Sequence, residues 1–149
     1  MHLNRTLKFI ALLHLCTRVY SVLTNGRPVT KSTDNTDKPG TNLVNNSLFG
    51  LSSATNSEAL PWMNISLSET ARIRTVVMVT TATHCDKIAT TSIRIGYDVD
   101  PRNNSICFSN IEKDGVYVCP NDLFGNFVGV ERTGKITLYN IREIWAYSW

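Results

Sequence analysis

From Trp62 to the C-terminus the chain is a succession of short runs rich in β-branched and aromatic residues: "WMNISL", "RIRTVVMVT", "SIRIGYD", "GVYVC", "NFVGVE" and "ITLYNIREIWAY". Turn-forming stretches such as "DVDPRNNS", "EKDG" and "ERTGK" punctuate them, so the runs recur at roughly ten-residue intervals. Apolar positions alternate with polar ones: Met63, Ile65 and Leu67 against Asn64 and Ser66, Ile93 and Ile95 around Arg94. Val116 and Val118 alternate with Tyr117, and Val128 and Val130 share a face. A period of two is what a strand shows when one of its faces lies on a core. No window holds a helical period of comparable length. The pattern predicts an all-β, antiparallel β-sandwich or barrel.

The preceding chain reads differently. "TKSTDNTDKPGTNLVNNS" has no apolar period. Residues 22–58 are therefore expected to be a flexible Ser/Thr/Asn-rich leader, and residues 59–149 the folded domain. Residues 1–21 have the layout of a signal peptide. Arg5 and Lys8 precede the apolar "FIALLHLC", and Val19 and Ser21 suit cleavage after Ser21. That apolar run is far shorter than the roughly 20 residues of a membrane span, and no later run is longer. The expectation is a secreted, extracellular protein without a membrane span. Removing Arg5, Lys8 and Arg18 leaves twelve Lys and Arg against twelve Asp and Glu. A mature chain near neutrality, with no Gly-rich phosphate loop and no aromatic-basic stripe, argues against nucleic acid as a partner.

Secretion also settles the chemistry of the cysteines. Cys16 leaves with the signal, and Cys85, Cys107 and Cys119 remain. Three Cys and the single mature histidine, His84, are a poor zinc set, and Cys-x-x-Cys is absent. In an oxidising compartment Cys107 and Cys119, flanking a turn, read as a disulfide that stabilises by about 3 kcal/mol. Cys85 is left over, free or linking two chains into a dimer. Sequons place candidate glycans at Asn45, Asn64 and Asn103, with Asn64 expected on the polar side of its strand. One histidine and no third residue to orient it give no acid–base or nucleophile constellation, so an enzyme is not expected. Asp98 and Asp100 lack the Gly and distal Glu of an EF-hand loop and read as a turn.

The order "LPWMNISLSETARIRTVVMVT", "TTSIRIG", Cys107 to Cys119, "LFGNFVGVERTGKITLYNIREI" resembles the F-type lectins, or fucolectins. The matching residues are Pro61, Trp62, Leu67, Ile95, Gly96, Cys107, Cys119, Gly125, Val128, Thr137 and Leu138. The resemblance implies a jelly-roll β-sandwich of the galactose-binding-domain-like type, a disulfide-closed hairpin and a non-catalytic carbohydrate-binding function. It implies fucosylated or related glycans as partners.

The chain departs from that family where the sugar and the metal are held. The family's sugar loop carries Arg-x-Asp, a later basic residue and two adjacent cysteines. Here the loop reads "TTATHCDKIATTS", with Ala82 at the first Arg, His84 near the Asp, and Lys87 near the last basic residue. Cys85 matches one of the adjacent cysteines. Ala54 or a neighbour stands where an upstream His is expected. The resemblance thus leaves Lys87 and His84 as carbohydrate-binding candidates in a degenerate site. The family's calcium site looks lost: Leu138-Tyr139-Asn140 replaces the strand that carries its Glu, and no early Asn/Asp-rich loop is recognised. No cofactor is expected, and the N-terminal part of the domain reads as truncated.

Overall fold

The computed structural model of the protein describes residues 22–47, 51–80, 90–133 and 140–148. The strands are β1 (Val29–Lys31), β2 (Ser53–Ala54), β3 (Trp62–Thr80), β4 (Thr91–Gly96), β5 (Ser105–Ile111), β6 (Gly115–Arg132) and β7 (Asn140–Ser148). Short 3-10 turns occupy Gly40–Leu43 and Pro101–Asn103. Every ladder among these strands is antiparallel. Among the described residues no helix is long and apolar enough to cross a membrane.

Two pairs of sequence runs fuse into single long strands. "WMNISL" and "RIRTVVMVT" together make β3, and "GVYVC" and "NFVGVE" lie within β6. These two strands pair along their length, with irregularities between Ser66 and Ala71 and between Ile73 and Thr75. Such bulges bend a strand and shift the phase of its side chains. Met63, Ile65 and Leu67 point inward before the first bulge, and Val76 and Met78 point inward after the second. One free edge of β3 takes β1 in its first half and β7 in its second. Beyond the second half of β6 lie β4 and then β5. One layer is thus β1-β3-β6-β4-β5 and the other β2-β7-β3-β6, joined through the two long strands. Between them sit Ile65, Ile93, Ile95, Val128 and Val130 facing Ile73, Met78, Ile141 and Ile144, all at most 1 % exposed. Each such side chain contributes about 1.5–3 kcal/mol on burial.

The strand expected to show Asn64 to solvent is covered on both faces. Asn64 is 1 % exposed, and its Nδ2 donates to the carbonyls of Asp98 (3.3 Å) and Val99 (2.6 Å). The 98–101 turn lies across it because Gly129, opposite Asn64, has no side chain. A Cβ there would stand 2.4 Å from Pro101 Cβ and 2.7 Å from Asn64 Oδ1. An amide held this way has no room for a glycan, so the Asn64 sequon is a structural one. Asn45 and Asn103 are exposed.

The 22–58 segment, expected as a flexible leader, is part of the sandwich. It supplies β1 and β2, and it places Leu43 and Val44 in the core. Thr24 is buried, with its Oγ1 donating to the Ile144 carbonyl at 2.8 Å. The segment was illegible by period because its contacts are polar side chains and two very short strands rather than alternating apolar runs. An Asp/Asn-rich loop, Asp34 to Asp37, is also present there, between β1 and the first 3-10 turn.

Cys107 and Cys119 form a disulfide. They are not hairpin partners. β5 pairs with β4, the first half of β6 pairs with β3, and no ladder joins β5 to β6. The bond therefore ties the edge strand of one layer to the other layer, with both cysteines in the core.

Candidate functional site

Residues 81–89, with Ala82, His84, Cys85, Asp86 and Lys87, lie outside the described residues, as do Thr137, Leu138, Tyr139 and Trp149. The signal-peptide expectation for residues 1–21 lies outside them too. What the structure gives is the frame on either side of residues 81–89.

The outgoing end is Thr80, the last residue of β3. It is 2 % exposed, and its backbone N–H and its Oγ1 both donate to Asp114 Oδ1, at 2.8 and 2.6 Å. Asp114 belongs to the β5–β6 turn, whose Asp-Gly dipeptide marks it in the sequence. The returning end is Thr90. Its φ is 68°, a left-handed conformation that a β-branched residue adopts only at a cost. Its Oγ1 donates to the Thr133 carbonyl at 2.5 Å, just past the end of β6. The 80–90 connection is thereby clamped at both feet beside the Glu112–Asp114 turn.

The turn itself is stiffened from below. The Tyr117 hydroxyl donates to the Lys113 carbonyl, and its ring lies 4.9 Å from that of Phe108. Burial raises the Tyr117 phenol above its ordinary range, and the neighbouring Asp114 charge acts in the same direction. Tyr117 and Cys119 face inward, at 9 % and 1 % exposure, while Val116 and Val118 face solvent at 66 % and 52 %. With Ile106 and Phe108 on β5 they form an apolar strip. A shallow cleft of about 310 Å³ runs along the disulfide seam, between Ile106, Cys107, Phe108, Ser109, Val118 and Pro120.

Elsewhere the polar clusters are structural. Arg94 Nε meets Glu131 Oε1 at 2.6 Å, and its Nη1 donates to the Asn104 carbonyl at 2.8 Å. Asp100 pairs with Arg102, whose hydrogen bonds hold the carboxyl below its usual range, and it also accepts from the Arg102 backbone N–H at 3.0 Å. Asp98 Oδ1 accepts from the Asp100 N–H at 2.9 Å, so the 98–104 stretch is the turn its sequence announces. Ala54 is fully buried. Trp145 is partly buried within β7 opposite Val77. Among the described residues no group of three or more His, Cys, Asp or Glu side chains is arranged to hold a metal ion.

No protein-family model matches the sequence, and no curated protein matches it. Solved structures do. A fucolectin from the serum of striped bass (Morone saxatilis) matches with TM-score 0.79 and 19% identity, over 86% of this chain and 47% of that one. This chain thus spans about half of that lectin's length. A fucose-binding module of Streptococcus pneumoniae matches with TM-score 0.74 and 9% identity, over 89% of this chain and 99% of the module. A chitosan-binding module from a Paenibacillus chitosanase/glucanase matches with TM-score 0.72 and 15% identity, over 87% and 100%. The fold is that of F-type lectins and related carbohydrate-binding modules, and the described segments between residue 22 and Trp62 belong to it.

Proposed function

We propose that this chain, which has the F-type-lectin-like fold, is a secreted, non-catalytic module that recognises fucosylated or related glycans through the 81–89 loop. The observation that carries the reading is the likeness of the whole sandwich to sugar-binding modules. The clamps Thr80–Asp114 and Thr90–Thr133 support it, because they fix the feet of the one loop where the candidate residues lie. Lys87 would donate to sugar hydroxyls, His84 would add a second polar contact, and the site would work without a bound metal. One similar structure is a fucose-binding module and another a chitosan-binding module, which supports assigning specificity to the loop, with Ala82 in place of Arg, rather than to the scaffold. Titrating the protein with a fucosylated oligosaccharide tests this. Lys87→Ala should weaken binding about tenfold, the loss of one charge-assisted hydrogen bond. Unchanged affinity would remove Lys87 from the site.

The exposed strip of Ile106, Phe108, Val116 and Val118 favours a second reading, a scaffold that has exchanged sugar for a protein partner. The two readings separate on whether free L-fucose competes with binding. Cys85 is proposed as free or as the link between two chains. Non-reducing electrophoresis of the protein and its Cys85→Ser variant would decide between them.

A further inference from the structure

Lys31 is the last residue of β1, and its side chain is only 5% exposed. Four oxygens converge on its Nζ: the carbonyls of Ala54 (3.0 Å), Lys38 (3.1 Å) and Asn35 (3.4 Å), and Asp34 Oδ1 (3.0 Å). Ala54 lies on β2, and the other three lie in the loop between β1 and the first 3-10 turn. The surroundings add support. Asn56 Nδ2 donates to the Asp34 carbonyl at 2.8 Å, and Ser32 and Thr33 donate to Glu58 Oε1 at 2.5 and 2.7 Å.

A set of backbone carbonyls with one carboxylate oxygen is the ligand chemistry of a hard cation such as calcium. Calcium is also the ion of the family that the sequence resembles, at a site this sequence reads as having lost. As it stands the loop does not fit that ion. The ammonium occupies the centre, and a divalent ion beside it would meet like charge at close range. The oxygens also stand at N–H···O lengths rather than at the 2.3–2.6 Å of calcium coordination.

We infer that the Lys31 ammonium is a tethered cation, occupying an oxygen cage that would otherwise take a divalent metal, and that it makes the packing of residues 32–58 independent of metal. A charge on the chain itself cannot be chelated or diluted away. It organises the loop by the same convergence of carbonyls that a metal would impose. The inference stands apart from sugar binding.

Thermal melting of the wild type, Lys31→Ala and Lys31→Met tests it, each in chelator and in about 5 mM calcium, above the millimolar affinities of many extracellular calcium modules. The wild type should melt within about 1 °C in both buffers, because its cage is filled. Lys31→Ala should melt about 8 °C lower in chelator and regain at least half of that loss in calcium. Lys31→Met should melt lower in both, because its thioether chain fills the space without a charge. A wild type stabilised several degrees by calcium would overturn the inference. So would Lys31→Ala melting like the wild type, or staying low in calcium. If Lys31→Ala does not fold in chelator, its recovery on refolding in calcium supports the inference, and failure in both buffers overturns it.

Discussion

The two sides of this sandwich are closed by different chemistry. On the side of β5, one covalent bond, Cys107–Cys119, ties the edge strand of one layer to the other. On the opposite side residues 22–58 close the layers with buried polar anchors. Thr24 Oγ1 meets the Ile144 carbonyl, Lys31 gathers four oxygens, and the Glu143 carboxylate accepts from the backbone N–H groups of Asn46 and Ser47, both at 3.2 Å. A disulfide acts mainly on the unfolded chain and has no dependence on pH or salt within the native state. The polar anchors act on the native state, and each loses its native hydrogen bonds when its partner goes. The disulfide side should therefore fail globally, and the anchored side locally.

Replacing both Cys107 and Cys119 by Ser should have the largest effect, about 3 kcal/mol. That loss is read as a fall of about 10 °C in melting temperature. A loss confined to β5, seen by hydrogen exchange, would mean that the disulfide holds one edge locally rather than the whole sandwich.

Next comes Glu143→Ala, expected to cost about 2 kcal/mol through the space left by a fully buried side chain and the loss of its hydrogen bonds from the Asn46 and Ser47 N–H groups, the second of which keeps Asn45 Oδ1 at 3.0 Å. Native-state hydrogen exchange should show faster exchange in residues 40–47 while the β3–β6 ladder keeps its protection.

Glu143 also gives the anchored side a pH dependence. It is fully buried, and burial raises its carboxyl above the ordinary range, with the Asn46 and Ser47 N–H groups acting the other way. A group whose folded pKa is raised adds stability when protonated, and that part is lost as pH rises through the folded pKa. Chemical denaturation should thus show the wild type gaining stability on mild acidification relative to Glu143→Gln. The opposite slope would mean that the backbone N–H groups outweigh burial.

The smallest effect is expected on the strip beside the disulfide. Val118→Ser, at an outward-facing position, should change stability by less than about 0.5 kcal/mol. A larger loss would mean that the strip is packed within the fold rather than available to a partner.

The same contrast explains what could be read from the sequence. The alternation of Ile93 with Ile95 and of Val128 with Val130 reported their faces correctly, and the spacing of Cys107 and Cys119 announced the staple. Their physical cause is local, so it leaves a periodic trace. Lys31 and Glu143 leave none. Each is an ordinary charged residue, Lys31 in a polar stretch and Glu143 within the last strand, and only the convergence of distant carbonyls or N–H groups makes it an anchor. Asn64 failed for a related reason. Its strand alternates as an exposed one should, but Pro101 and Gly129 bring a turn across the outer face. At the candidate site the Asp-Gly turn at Asp114 was visible, while its hydrogen bond to Thr80, across 34 residues, was not.

Glycan recognition is decided by binding of the oxidised, folded protein to a panel of glycans, with free L-fucose as competitor. Saturable binding to fucosylated members that L-fucose displaces is expected. A folded, monodisperse sample that binds no glycan on the panel would contradict it.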